Sequence, residues 1–124
     1  MTMSRRLRLT IDGQTCHAVL AEGPLAEQLA ALCPFAAEFQ RQGGHEYYAR
    51  LPQKLRQEGS PMTSKVRRNQ ITYFEGWNAL SFLFQDTDIS PYSVAYVGEF
   101  EEDAAALLNH AKRVILVHCE LEEA

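Results

Sequence analysis

The stretch Leu7-Arg8-Leu9-Thr10-Ile11-Asp12-Gly13-Gln14-Thr15-Cys16-His17-Ala18-Val19-Leu20 decides the fold class. Leu7, Leu9 and Ile11 alternate with Arg8, Thr10 and Asp12. Period two is the pattern of a strand with one face in a core and one in water. Asp12-Gly13 is a tight-turn pair, so the chain returns over Thr15 to Leu20 as a second strand.

Working outward, Gly23-Pro24 opens a helix, because proline at the first helical position forgoes only an N–H that would have no partner. Leu25, Leu29 and Leu32 share one face of it, and Pro34 stops it. The helix reads as a plug for the end of a barrel. Phe35, Ala37 and Phe39 alternate up to a turn at Gln42-Gly43-Gly44, and Tyr47 to Leu51 follows as a strand. Lys54 to Lys65 is polar and reads as an irregular loop. Ile71 to Phe74 and Ala79 to Gln85 are strands joined by Glu75-Gly76-Trp77-Asn78. Leu80, Phe82 and Phe84 lie on one face of the second and Leu83 on the other. Asp86 to Tyr92 is a loop. Val94 to Phe100 is a strand whose Gly98 marks a bulge or a close backbone approach. Glu101 to His110 reads as a short helix with Glu101, Glu102 and Asp103 in its first turn, as the helix dipole prefers. Val114 to Leu121 closes the chain. About eight short strands with Gly/Pro turns predict a closed barrel in a single domain over residues 1–124.

The 124 residues are 46% hydrophobic and 23% charged, the composition of an ordinary globular domain. A net charge of -4 argues against nucleic acid as a partner, which needs a clustered positive surface. Arg5, Arg6 and Arg8, and Lys65, Arg67 and Arg68, read as solvated charges. The tail Glu120-Leu121-Glu122-Glu123-Ala124 reads as solvated too. No window approaches the ~20 apolar residues of a membrane span, so no membrane partner is expected. The alternating pattern after Met1-Thr2-Met3-Ser4 is not that of a signal peptide. Cys16, Cys33 and Cys119 form no close-spaced pair, which points to reduced thiols and a cytoplasmic location.

Gly44-His45-Glu46-Tyr47-Tyr48, Leu51-Pro52, Ile71-Thr72-Tyr73-Phe74, Asn78-Ala79-Leu80-Ser81-Phe82-Leu83-Phe84 and Val97-Gly98 together resemble a family of small bacterial and archaeal cyclophilin-like proteins, as does the helix ending Leu32-Cys33-Pro34. The likeness spans nearly the whole chain. It implies a mainly β, closed cyclophilin-like barrel of about eight strands with two short helices, in a family without a settled biochemical role. True cyclophilins carry a catalytic arginine in a Phe-x-Arg stretch ahead of Phe-x-x-Gln-Gly-Gly. Phe39-Gln40-Arg41-Gln42-Gly43-Gly44 resembles the second piece, but Leu32 to Glu38 contains no arginine. Arg50 is a substitute on a different segment. Proline isomerisation faces a barrier of ~20 kcal/mol, which a cation near the prolyl nitrogen lowers. Without it the barrel is expected to bind and not catalyse.

Candidate chemistry is sparse. His45-Glu46 is either a hydrogen-bonding pair at the mouth of a pocket or a pair satisfying loop backbone. Tyr48, Tyr73, Phe74 and Trp77 are the aromatics expected near it, with Phe74, Phe82 and Phe84 reading better as core. Trp77 either caps the barrel end or serves as a ligand platform. Cys16-His17 and His118-Cys119 sit on two strands, but strand neighbours face opposite ways, so cysteines in the core and histidines at the surface are expected, with no metal site. No phosphate-binding or nucleophile motif occurs, and no cofactor is expected.

The expected function is non-catalytic recognition of a small molecule or extended peptide by His45, Glu46, Tyr48, Arg50, Tyr73 and Trp77. The alternatives are a peptidyl-prolyl isomerase-like enzyme, or acid–base catalysis by His45 and Glu46, and a structural protein forming a homodimer.

Overall fold

The computed structural model describes residues 5–122. The remaining four residues at the start and two at the end lie outside it, and with them the signal-peptide reading and the last of the acidic tail. Eleven strands and two helices follow in order: β1 Arg6–Ile11, β2 Gln14–Leu20, α1 Pro24–Leu32, β3 Phe35–Gln42, β4 Glu46–Arg50, β5 Met62–Thr63, β6 Lys65–Val66, β7 Gln70–Phe74, β8 Ala79–Leu83, β9 Thr87–Asp88, β10 Val94–Phe100, α2 Ala104–Asn109 and β11 Val114–Glu122. The order β2-β1-β11-β3-β4-β8-β7-β10 closes on itself through β2–β10 pairing, so eight antiparallel strands form a barrel. β5 adds to β10, and β6 and β9 make a separate two-stranded ribbon.

The Asp12-Gly13 turn has both residues at positive φ, 47° and 86°, the twist that a two-residue hairpin requires. It sets the register Leu9↔Cys16 and Ile11↔Gln14. Inward residues then alternate around the barrel. Leu7, Leu9, Ala18, Phe39, Tyr47, Ile71, Leu80, Phe82, Val97, Ile115 and Val117 are all buried in one core. Phe39 stacks on Phe82 at 4.4 Å, and Phe100 meets Phe82 edge-on at 5.3 Å. Leu25 and Leu29 of α1 and Ala104, Ala105 and Leu108 of α2 join the same core.

Closure depends on Gly98. The register of β10 against β7 shifts between Tyr96 and Gly98, a bulge. A Cβ at Gly98 would lie 2.4 Å from the Val19 carbonyl oxygen, so only glycine lets β10 approach β2 here. Arg41 closes another part of the circuit. Its guanidinium lies 4.4 Å over the Phe84 ring, and Nη1 donates to the carbonyls of Leu108 (3.3 Å) and Asn109 (3.2 Å) at the end of α2. A cation there satisfies carbonyls the helix leaves open.

Three expectations need correction. Glu101, Glu102 and Asp103 precede α2 instead of filling its first turn, because each is held by a partner elsewhere: Arg6, His17 and Arg68 respectively. Glu120 and Glu122 are not merely solvated, since they pair with Arg8 and Arg6. Arg5, Arg6, Arg8 and Arg68 of the basic clusters are likewise drawn into ion pairs. Cys16 and Cys119 flank Leu9 inside the barrel. Burial pushes the Cys119 thiol up to about 12 and the Cys33 thiol up to about 11. His17 and His118 face outward. No helix among the described residues is long and apolar enough to cross a membrane.

Candidate functional site

The outer face of β4–β8–β7 differs from the rest of the barrel surface. All five residues of β8 are buried, although alternate ones must point away from the barrel interior. Leu80 and Phe82 point in, so Ala79, Ser81 and Leu83 point out. Their burial comes from a second, smaller apolar cluster in which Val66, Leu83 and Val94 are joined by Phe74 and Ile89. The β6–β9 ribbon and the segment after it therefore cover part of this wall.

Between wall and cover lies a cleft of about 250 Å³. Its rim carries Gln42, His45, Glu46, Trp77 and Tyr92, and its sides carry Val66, Phe74, Leu83, Ile89 and Val94. Across the floor runs one row of paired residues, Tyr48↔Ser81↔Thr72, on three neighbouring strands. Thr72 is 3% exposed and Ser81 7%. No hydrogen bond to the hydroxyl of Tyr48, Ser81 or Thr72 occurs among the described residues. None of these residues' side chains contributes a polar atom that is both sealed off and without a partner, so the hydroxyls open onto the cleft. Apart from the hydrogen-bonded tyrosines Tyr47 and Tyr73 and the thiols, Thr72 and Ser81 are the only polar side chains of the described residues that are buried.

Four of the six expected site residues line this cleft: His45, Glu46, Tyr48 and Trp77. His45 Nε2 lies 3.0 Å from Glu46 Oε1, and both side chains are about four-fifths covered. The pair joins the cleft rim, while the His45 carbonyl accepts from Phe84 N–H (2.8 Å). Trp77 is 53% exposed and meets Phe74 edge-on at 5.5 Å, which sets it at the lip of the cleft. Arg50 points outward with Tyr48 but lines a neighbouring depression, with Glu38, Gln40, Tyr48 and Trp77. The two hollows meet at the Tyr48–Trp77 divide.

Tyr73 does not line the cleft. It sits between outward Thr72 and Phe74, so alternation turns it into the barrel, where it is fully buried. Its hydroxyl accepts from Leu55 N–H (2.9 Å) and donates to Asn78 Oδ1 (2.7 Å), while Asn78 Nδ2 donates to the Leu51 carbonyl (3.0 Å). It anchors the loop after β4. Burial is the chief reason its hydroxyl titrates above the usual tyrosine range. Phe74, read as core, is a cleft wall. Arg41, the arginine of the Phe-x-x-Gln-Gly-Gly likeness, is engaged with α2 on the inward side of β3 and does not reach the cleft.

Sequence reasoning missed Thr72, Ser81, Tyr92 and the apolar walls. One signal was legible: between Gln70 and Gln85 the only charged residue is Glu75. Two strands in succession with no charge on either face imply that the outer face is covered as well. No group of histidines, cysteines or carboxylates among the described residues is arranged to hold a metal ion.

No curated protein matches the chain. The solution structure of the hypothetical protein AF2241 from Archaeoglobus fulgidus superposes with a TM-score of 0.76 at 20% identity, over 98% of each chain. That likeness supports the barrel alone. A family model described as the cyclophilin-like family matches residues 9–120. The match runs from the middle of β1 to near the end of β11, taking in the barrel circuit and every residue of the cleft, and the chain belongs to the cyclophilin-like family.

Proposed function

We propose that this domain binds a small molecule or extended peptide in the β4–β8–β7 cleft without transforming it. The observation that carries this reading is the pair of hydroxyls without a protein partner, Thr72 and Ser81, that open onto the floor of a cleft with apolar sides. A polar group stripped of water without gaining a partner costs about 1–3 kcal/mol. A surface that carries two open hydroxyls side by side is therefore suited to a ligand that bonds to both as it displaces their water. Apolar walls with a few convergent polar groups are the usual make-up of small-ligand sites. The neighbouring Arg50 hollow extends the surface for a longer ligand.

Binding without isomerisation is favoured because the cleft has no arginine in its lining. Arg50, one hollow away, is the residue on which an isomerase reading rests. A titration of fragment and proline-containing peptide libraries, followed by amide resonances, tests the proposal. Perturbations should centre on Tyr48, Thr72, Ser81 and Trp77. Perturbations confined to other faces would sink it. A protease-coupled proline isomerisation assay should show no acceleration, and acceleration abolished by Arg50→Ala would establish the enzyme instead. A homodimer is the second reading, supported by the exposed pair Val114 and Leu116 on one face of β11. Light scattering showing a monomer at millimolar concentration would remove it.

A further inference from the structure

We infer that the cleft recognises an uncharged ring bearing an amide-like edge, the ring held between its apolar walls and the edge bonded to the floor hydroxyls. This inference rests on the binding role proposed above and names the chemistry of the ligand.

Size sets the first limit. A dry cavity of roughly 150 Å³ takes up benzene. At about 250 Å³ the cleft has room for one ring and a compact substituent. The wall residues Phe74, Leu83, Ile89 and Val94 offer no polar group to such a ring.

Charge sets the second. No lysine or arginine lines the cleft, and its one carboxylate, Glu46, is already bonded to His45 at 3.0 Å. Glu46 pairs across the sheet with Leu83, whereas Ser81 pairs with Tyr48 two residues further along β4. The floor hydroxyls thus sit on a row with no charged member. An anion placed there would lose its water and gain no lysine or arginine, with His45 already engaged by Glu46, and a cation would lose its water and gain no free carboxylate. Either loss is large for a buried charge.

Hydrogen bonding sets the third. A hydroxyl rotates to donate or accept, so neighbouring hydroxyls match an edge that presents a carbonyl beside an N–H. A wholly apolar ring would strip water from Thr72 and Ser81 and return nothing.

The test uses four probes of one shape: benzamide, benzoate, benzamidine and toluene. Binding to the full chain is read from the emission of Trp77, the only tryptophan, and from backbone amide shifts. Benzamide should bind about tenfold more tightly than any of the other three, the factor expected when about 1.4 kcal/mol of hydrogen bonding is at stake. Thr72→Val and Ser81→Ala should each weaken benzamide about fivefold and leave toluene within about twofold of its wild-type affinity. Thr72→Val preserves shape, so if Ser81→Ala does not fold, Thr72→Val alone decides. Equal binding of toluene and benzamide overturns the inference, as does preference for benzoate or benzamidine, or a benzamide affinity indifferent to both substitutions. In those cases cleft-centred shifts leave the binding role standing. Absence of cleft shifts with all four probes also overturns the inference, and the broader library titration then judges the binding role separately.

Discussion

Two walls of one barrel meet the outside in opposite ways. The β2–β1–β11 wall turns charges outward and ties them together. Arg6 bridges Glu101 and Glu122, Arg8 pairs with Glu120, and His17 Nδ1 lies 2.8 Å from Glu102. The β4–β8–β7 wall turns Tyr48, Ser81, Leu83, Thr72 and Phe74 outward, and the ribbon and Tyr92 lie over them. Both walls have the same interior, continuous around the barrel. The lesson is that alternation settles only where the inside is. Whether the outside faces water or a cover depends on the chemistry of the other half of the residues. Exposed ion pairs of the first kind contribute little each, typically under about 1 kcal/mol. The outward apolar residues of the second kind, Phe74 and Leu83, are packed under a cover, and the gap between cover and wall is the cleft.

The seam that joins the walls, β10 against β2, is the place to break both at once. Gly98→Ala forces a Cβ into the Val19 carbonyl oxygen, a backbone atom that cannot move aside. We expect a loss of more than about 3 kcal/mol, or no cooperative unfolding at all, by denaturant titration. The contrast between the walls sharpens next. Leu83→Asp puts an unpaired charge beneath the cover and should cost about 2–4 kcal/mol, whereas Val19→Asp, on the open wall where Val19 is 37% exposed, should stay within about 1 kcal/mol of wild type. Equal costs at the two positions would erase the distinction.

Smaller effects come from the charged wall. The hydrogen bond from His17 holds the Glu102 carboxyl below its ordinary value of 4.5. A carboxylate whose folded value is depressed adds stability above its unfolded value, and this is lost as pH falls through the folded one. Glu102→Gln should therefore be less stable than wild type at neutrality, by under about 1 kcal/mol for so exposed a pair, with the gap closing below pH 4.5. A gap that instead widened in acid would contradict the assignment. Smallest of all is Thr72→Val. Removing a hydroxyl that has no protein partner should leave stability unchanged or raise it by up to about 1 kcal/mol. A marked loss would show that Thr72 serves the fold and not a ligand.

The barrel itself was legible. Leu7 to Leu20, Phe35 to Gln42, Val94 to Phe100 and the strand from Val114 onward all appear where alternation and turn residues put them. Gly98 was read as a bulge or close approach, and it is both. Legibility failed where a residue's role depends on partners far along the chain. Tyr73 and Phe74 are adjacent aromatics with similar composition around them, yet one is sealed in the barrel and the other lines the cleft. Local pattern assigns them to opposite faces but does not say which face has the opening. Arg41 and Arg50 present the same difficulty. One belongs to α2, 67 residues away, through the Leu108 carbonyl, and the other to an open hollow.

Sequence alone determined the strands, the tight turns and which side chains look inward, because those follow from a two-residue period and from turn chemistry, both local. The tertiary structure alone decided which segments cover the outer surface, which hydroxyls are left without a protein partner beneath the cover, and which arginine is occupied. Those depend on Val66, Ile89 and Tyr92 returning over β8 from distant segments. The charge-free run from Gln70 to Gln85, broken only by Glu75, calls for a cover, but which segments supply it is decided by contacts between positions far apart in the chain.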